Sequence, residues 1–544
     1  MTHNPTVHPV TRPPAGPLRV VVVGAGMVGH RLVEDLLRQD PPGAGLAVHW
    51  VGDEAYAAYN RILLSEVLAD RHDLAALELP RLTDPRLTTH LGVPVRRIDR
   101  AAHRVELADG RRLAYDHLVL ATGADAVVPP LPGLTPRPRR AHVLRSVDDA
   151  RDVLAGSLGA HHAVVLGGGL LGLEAATALR RRGVAVTLLQ RDGQLAEAQL
   201  ERRPAELLAA TLRDLGIDVR CDDGIAEVLV DGGEVVAVRT CAGDLIATDL
   251  LLLSTGARPR DVLAAEAGLP ARRGVVVGDD LRSPADPRIS AVGDCAAPPE
   301  GGSGLVAPGW AQASWLAADL LASGASPRRP VAQSPTARPL TRLKAAGVDL
   351  VVMGERADGA PGGRSVTVDD PASRRSVSIV VRDGRLVGVT CLGAPDLSPS
   401  LSVAWERRTP TPVDPLALLL PEAAEEEGNP ALMPGDTAVC RCNGVTKRDV
   451  VSAWDAGADS VPDVAQATRA TTGCGGCRSL VCGLVDWLRE VDPHPSAAGA
   501  PGHDDRSSSA RQAVSQQQAP AGEQIVPERQ HDAPLPATSA SYGA

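Results

Sequence analysis

The sequence predicts an α/β protein: two Rossmann-like, dinucleotide-binding domains, then a small α+β domain, then a small helical domain around four cysteines. Three observations predict it. Turns of the form Gly-x-Gly-x-x-Gly occur twice, at Gly24 to Gly29 and at Gly167 to Gly172, each after an apolar run and before a helical stretch. From Leu18 to about Leu321, apolar strands alternate with helical segments, the pattern of a doubly wound parallel sheet. Far downstream, Cys440-x-Cys442 is followed by Cys474-x-x-Cys477, a clustering that suits a metal site.

The elements follow in order. Residues 1–17 are rich in Pro, Thr and His and lack the apolar core of a secretory signal, so a disordered start is expected. Val20 to Val23 is a β-branched run suited to burial on both faces of a parallel sheet. Its glycine turn opens a helix that continues through Glu34 to Arg38, and the next strand, Leu46 to Val51, runs into Gly52-Asp53-Glu54. A second such unit runs from His162 through Gln190. Residues 18–145 and 260–322 are assigned to the first domain and 146–259 to the second, inserted one. Between 335 and 405 the texture changes to short alternating segments such as Ser376 to Val381, with Asp383-Gly384 as a hairpin signal. Residues 408–436 carry Pro and Glu in linker proportions. The cysteine domain occupies 437–492, and 493–544 is a polar, low-complexity tail expected to be disordered.

At 544 residues the chain has room for three or four domains. A formal net charge of −10 argues against a nucleic-acid partner. No apolar run is long enough to span a bilayer, so no membrane association is expected. Nine cysteines, four of them clustered, do not read as a disulfide framework, and they suggest a reducing, cytoplasmic setting.

At the first glycine turn, Gly24 makes the tight bend, Gly26 lets the backbone approach a pyrophosphate, and Gly29 allows close packing. The helix start offers N–H groups and a positive dipole end to the diphosphate. Asp53, or its neighbour Glu54, would accept from a ribose hydroxyl. Tyr115 to Ala124, with Thr122-Gly123, and Ile289 to Ala296, with Asp294, resemble the second and third FAD signatures of the two-dinucleotide-domain flavoproteins. The resemblance implies FAD at the first site, with Asp294 on the ribityl chain.

The second fingerprint, with Ser254 to Pro259 and its Gly256, resembles the NAD(P)H domain of the same family. The acid that would hold an NADH ribose is replaced by Gln190-Arg191. Arg191 suits a 2′-phosphate as well as it suits an ordinary surface position, so NADH and NADPH both stay open. Glu174 follows the glycines and is expected on the first turn of its helix. A carboxylate there would complement the dipole, whereas the resemblance implies a place near the nicotinamide. Disulfide reductases of this fold carry a cysteine pair, and related peroxidases a single cysteine, where this chain reads Ala58 to Glu66 without one. Thiol chemistry beside the flavin is therefore not expected.

Spacing alone leaves the four cysteines open to zinc or to an Fe–S cluster. Val439 to Thr446 and Thr472-Gly-Cys-Gly-Gly-Cys477 resemble the bacterioferritin-associated-ferredoxin-like [2Fe-2S] domain. This domain is fused to flavoproteins in nitrite reductase large subunits and in electron-transfer subunits of assimilatory nitrate reductase. Gly26 to His30, Ala58 to Arg61 with Leu64-Ser65, and Leu343 to Val348 also resemble that subgroup. The resemblance implies an NAD(P)H oxidoreductase that uses FAD, with Arg61 at the FAD site, and a [2Fe-2S] cluster on Cys440, Cys442, Cys474 and Cys477. Its partner would be a molybdenum nitrate reductase subunit or a separate sirohaem nitrite reductase. Past Cys477 only Cys482 follows, so the chain is not expected to reduce nitrite itself. The alternatives are a stand-alone ferredoxin or rubredoxin reductase, and a redox-sensing flavoprotein with structural zinc.

Overall fold

Val20, Val21 and Val22 are wholly buried because Leu18–Val23 lies inside a six-stranded sheet. It pairs in parallel with Leu46–Val51 on one side and His117–Leu120 on the other. Asp286–Ala291 then pairs in parallel with His117–Leu120, so a late segment completes a sheet begun at the start of the chain. The second sheet, parallel throughout, is made of Ile217–Arg220, Ala185–Leu189, His162–Leu166, Leu250–Leu253 and Ala141–Val143. Ala141–Val143 falls within 18–145, the stretch the sequence places in the first domain, yet it forms the edge of the second sheet. Three residues carry no periodicity that would assign them to either. Ala257–Pro259 pairs with Ala124–Ala126 where the chain returns to the first domain.

This computed structural model describes residues 16–40, 45–302, 304–322, 340–359, 362–419, 433–440, 443–473 and 477–492. Residues 1–15, 420–432 of the expected linker and the tail 493–544 lie outside them, as do Cys442 and Cys474.

The third unit is a five-stranded antiparallel sheet ordered Leu340–Leu343, Leu350–Gly354, Arg385–Leu392, Arg375–Arg382 and Arg364–Asp370, with the helix Ser398–Arg407 packed on it. Asp383 and Gly384 both adopt positive φ, 51° and 65°, as a two-residue hairpin turn requires. Leu343, Ala345, Val348 and Leu350 share an apolar core with Leu63, Leu64 and Val67 of the first domain and with the second domain. The last unit has two short strands, Ala438–Cys440 and Val445–Thr446, and three helices, Lys447–Asp455, Val461–Thr468 and Arg478–Val491. Thr446 and Asp449 close the first of these helices with a reciprocal capping box. The unit packs on a core of its own, from Val439 to Leu488, around fully buried Trp454. Among the described residues, no helix is long and apolar enough to cross a membrane.

Candidate functional site

The two glycine turns have the same architecture. Gly26 precedes the helix Met27–Gln39 in extended conformation, and among the described residues no side chain caps the helix start. Its first N–H groups therefore remain for a ligand. Gly24 has φ +121°, and a Cβ there would lie 2.1 Å from the Ala121 carbonyl oxygen; a Cβ on Gly29 would lie 2.0 Å from that of Gly24. Those two glycines hold the fold together. Among the described residues, a Cβ on Gly26 would meet, within 4 Å, only Arg61 Nε at 3.8 Å, which leaves space above the helix start. In the second turn, a Cβ on Gly167 (φ +112°) would lie 2.2 Å from Ser254 O and one on Gly172 1.9 Å from Gly167 O, while one on Gly169 would meet nothing within 4 Å among the described residues. Gly169, like Gly26, precedes an uncapped helix, Leu170–Arg181.

Polar groups converge beside the first opening. Glu54 accepts from Tyr59 Oη at 2.7 Å and from Arg61 Nη2, so both its oxygens are engaged within the protein. The Arg61 guanidinium sits 4.8 Å above the Tyr59 ring, and burial pushes the Tyr59 phenol up. Asp53 is half-exposed and pairs with Arg260 Nη1 at 2.8 Å. It has the freer carboxylate of the two acids proposed for a ribose. Thr122 Oγ1 donates to Arg260 O at 2.8 Å, and Gly123, with φ +72°, accepts from Arg260 N at 2.9 Å. Asp294 pairs with Arg145 Nη2 at 2.6 Å. Trp50 Nε1 donates to Gly24 O at 3.1 Å and buttresses the turn from the neighbouring strand. No motif pointed to Trp50, Arg145 or Arg260.

Beside the second opening, Gln190 takes the place of the expected acid and faces the glycine turn. Its Oε1 accepts from Gly168 N at 2.6 Å, and its Nε2 donates to Asp192 Oδ2 at 2.9 Å. The Arg191 side chain is 87% exposed, with Asp192 Oδ1 3.6 Å away. Gly256, with φ +104°, accepts from Val127 N at 3.0 Å where the two domains join.

Glu174 corrects an expectation. It lies beyond the first turn of Leu170–Arg181, which holds no acid, so it does not serve as the dipole's first-turn complement. Gly169 is the N-cap, which places Glu174 on the following turn. The side chain is buried and accepts from Ser65 Oγ at 2.5 Å, Lys344 N at 3.1 Å and Lys344 Nζ at 2.8 Å. One carboxylate thus ties together the first, second and third domains. A cavity of about 490 Å³ opens beside this junction, lined by Leu63, Glu66, Arg71, Arg342 and Lys344 among others.

At the cysteine site, Cys440 and Cys477 are buried in the core of the last unit. Cys477 Sγ accepts from Thr471 N at 3.2 Å. The Asn443 amide lies 3.8 Å from Cys440 Sγ and also donates to Arg469 O at 2.6 Å and Thr472 Oγ1 at 3.3 Å. It thereby ties the Cys440 loop to the loop that leads to Cys474. Sulfurs receiving N–H groups in a dry core suit Fe–S thiolates, whose charge such donors stabilise. At the same loop, the Asn60 amide donates to Thr472 O at 2.8 Å and Gly473 O at 2.5 Å. Asn60 stands in the stretch that contains no cysteine, next to Arg61.

A model of the pyridine nucleotide-disulphide oxidoreductase family matches residues 18–314, and one of the BFD-like [2Fe-2S] binding domain matches 438–486. Over 480 residues the chain is 33% identical to the nitrite reductase [NAD(P)H] large subunit of Klebsiella oxytoca, covering 86% of this chain and 49% of that protein. It is 28% identical to the assimilatory nitrate reductase electron transfer subunit of Bacillus subtilis, over 86% of this chain and 60% of that one. The chain thus spans about half to three-fifths of the length of these curated relatives. Among solved structures, the covalent putidaredoxin reductase–putidaredoxin complex superposes with a TM-score of 0.64 at 26% identity, over 74% of this chain and 96% of that one. The first family model implies FAD and NAD(P)H, the second a [2Fe-2S] cluster. The open, uncapped helix starts at Gly26 and Gly169 and the N–H-bonded sulfurs fit those groups.

Proposed function

The chain belongs to the pyridine nucleotide-disulphide oxidoreductase family, and we propose that it is the electron-transfer component of an assimilatory nitrate or nitrite reductase system. It would carry electrons from NAD(P)H to a separate molybdenum nitrate reductase or sirohaem nitrite reductase. Bound FAD would supply a hydride acceptor for the nicotinamide, and a [2Fe-2S] cluster would supply a one-electron carrier. The chain's own residues bind and orient. The helix starts at Gly26 and Gly169 receive the two diphosphates, Asp53 the adenosine ribose of FAD and Asp294 its ribityl chain. Arg61 would lie at the FAD opening, and the exposed Arg191 would pair a 2′-phosphate if the nucleotide is NADPH. Cys440, Cys442, Cys474 and Cys477 hold the cluster.

One observation carries this reading. The loop that leads into Cys474 is hydrogen-bonded to Asn60, in the segment where thiol-using relatives of the fold place their cysteines. This contact supports a cluster, rather than a thiol, as the group that would take electrons on that side of the flavin. Removing residues 437–492 tests it. Delivery to nitrate or nitrite reductase should be lost while NAD(P)H oxidation with an artificial dye continues; undiminished delivery overturns the proposal. The likeness to putidaredoxin reductase supports a second reading, direct reduction of a small ferredoxin. Rapid ferredoxin reduction by the shortened chain would favour it.

A further inference from the structure

The cysteine domain has its own apolar core and is joined to the first domain by polar contacts, the composition of a reversible interface rather than of a shared core. Arg469 stands at the centre of that junction. Its backbone ends the helix Val461–Thr468 in left-handed conformation, with φ +64°. Its carbonyl is held by the Asn443 amide at 2.6 Å and by Thr472 Oγ1 at 2.8 Å. Those are the bonds that order the cysteine loops. Its side chain runs the other way, to the glycine helix of the first domain, where Nε meets Glu34 Oε1 at 2.7 Å and Nη2 meets Asp35 Oδ1 at 3.4 Å.

The two acids play unequal parts. Asp35 is fully buried and already accepts from Arg31, Arg38 and Ser314. Glu34 is different: its second oxygen is buried without a hydrogen-bond partner among the described residues, and His30 Nδ1, 3.8 Å from it, belongs to an imidazole whose pKa burial pushes down. A carboxylate is left half-satisfied out of water only where a paired charge compensates it. Arg469 is that charge, and it reaches Glu34 only while the domain is seated.

We propose that Arg469 is a positioning latch: paired with Glu34, it seats the cysteine loop against Asn60 and the FAD domain, and its release frees the cluster face for an external acceptor. This rests on the electron-transfer reading above. The guanidinium, 12% exposed while seated, becomes open to an acidic surface on an acceptor only after release. Beside the Asn60 hydrogen bonds, Arg469 is a charged bridge between the two sides, part-buried while the domain is seated and open to salt screening once it lifts.

The test uses the full chain with its cofactors, in three variants: Arg469→Met, Arg469→Lys and Glu34→Gln. The last lies in the FAD domain and leaves the cysteine domain untouched; visible absorption of the cluster verifies that each variant is loaded. Small-angle scattering is measured at low and high salt, and stopped flow follows cluster reduction after flavin reduction. Arg469→Met and Glu34→Gln should have a larger radius of gyration than the parent at low salt and reduce the cluster at least tenfold more slowly. Arg469→Lys should recover much of both. Methionine and glutamine variants as compact and as fast as the parent overturn the latch. If the parent's cluster is never reduced by NAD(P)H, the electron-transfer reading falls, while scattering still reports whether Arg469 seats the domain.

Discussion

Exchanging single glycines of the second turn for alanine separates ligand space from protein packing. In Gly172→Ala the new Cβ would stand 1.9 Å from the Gly167 carbonyl oxygen. That is about 1.5 Å closer than an ordinary contact, against a backbone atom that no rotamer change can move. Overpacking of this kind costs about 1–3 kcal/mol, and a backbone obstacle puts it at the upper end. In Gly169→Ala the backbone, at φ −75° and ψ 176°, already suits alanine, and nothing lies within 4 Å. The cost without ligand is then only that of alanine at a helix N-cap, about 1 kcal/mol or less. The methyl group does, however, enter the space proposed for the NAD(P)H diphosphate. A steric loss of about 1–3 kcal/mol there weakens binding roughly fivefold to 150-fold. Thermal melting of the nucleotide-free proteins and NADH and NADPH titrations read the two effects separately. Gly172→Ala should melt several degrees lower, whereas Gly169→Ala should melt near the parent and bind nucleotide poorly. Full affinity in Gly169→Ala would refute the placement of the diphosphate above Gly169.

Two further predictions concern buried ionisable groups. Lys344→Met leaves the buried Glu174 carboxylate without its cation, a loss of about 3–5 kcal/mol for a broken buried pair; it should lower the melting temperature markedly, and Lys344→Met with Glu174→Gln should recover part of the loss. His117 is buried against Ser290 Oγ at 3.0 Å, and burial pushes its imidazole down to about 3. The unfolded chain therefore takes up the proton first. Stability from this group is complete above about pH 6.5 and declines as pH falls toward 3. Between pH 7.5 and 5.5 the parent should lose about 1 kcal/mol more than His117→Gln, measured by chemical denaturation; equal losses would show that His117 is protonated in the fold.

Much of the architecture was legible because its causes are local. Gly24, Gly29, Gly167 and Gly172 are dictated by carbonyl oxygens a few residues away or on the adjoining strand, and Asp383-Gly384 by the turn itself. The family resemblance extended this to the cofactors, and the family models agree. What could not be read comes from distant partners. Glu174 is satisfied by Ser65 and Lys344, 109 and 170 positions away. Arg469 is one arginine among many until folding sets it beside Glu34. The missing acid at Gln190 was visible, but its bond to Gly168 N depends on how the strand end meets the glycine turn.

The central claim is that electrons from NAD(P)H reach an Fe–S cluster held by the four cysteines. Low-temperature EPR of the anaerobically purified chain, reduced with NADH or NADPH, tests it most directly. An Fe–S signal that appears on reduction is the predicted result. A flavin bleached by the nucleotide with no such signal would contradict it.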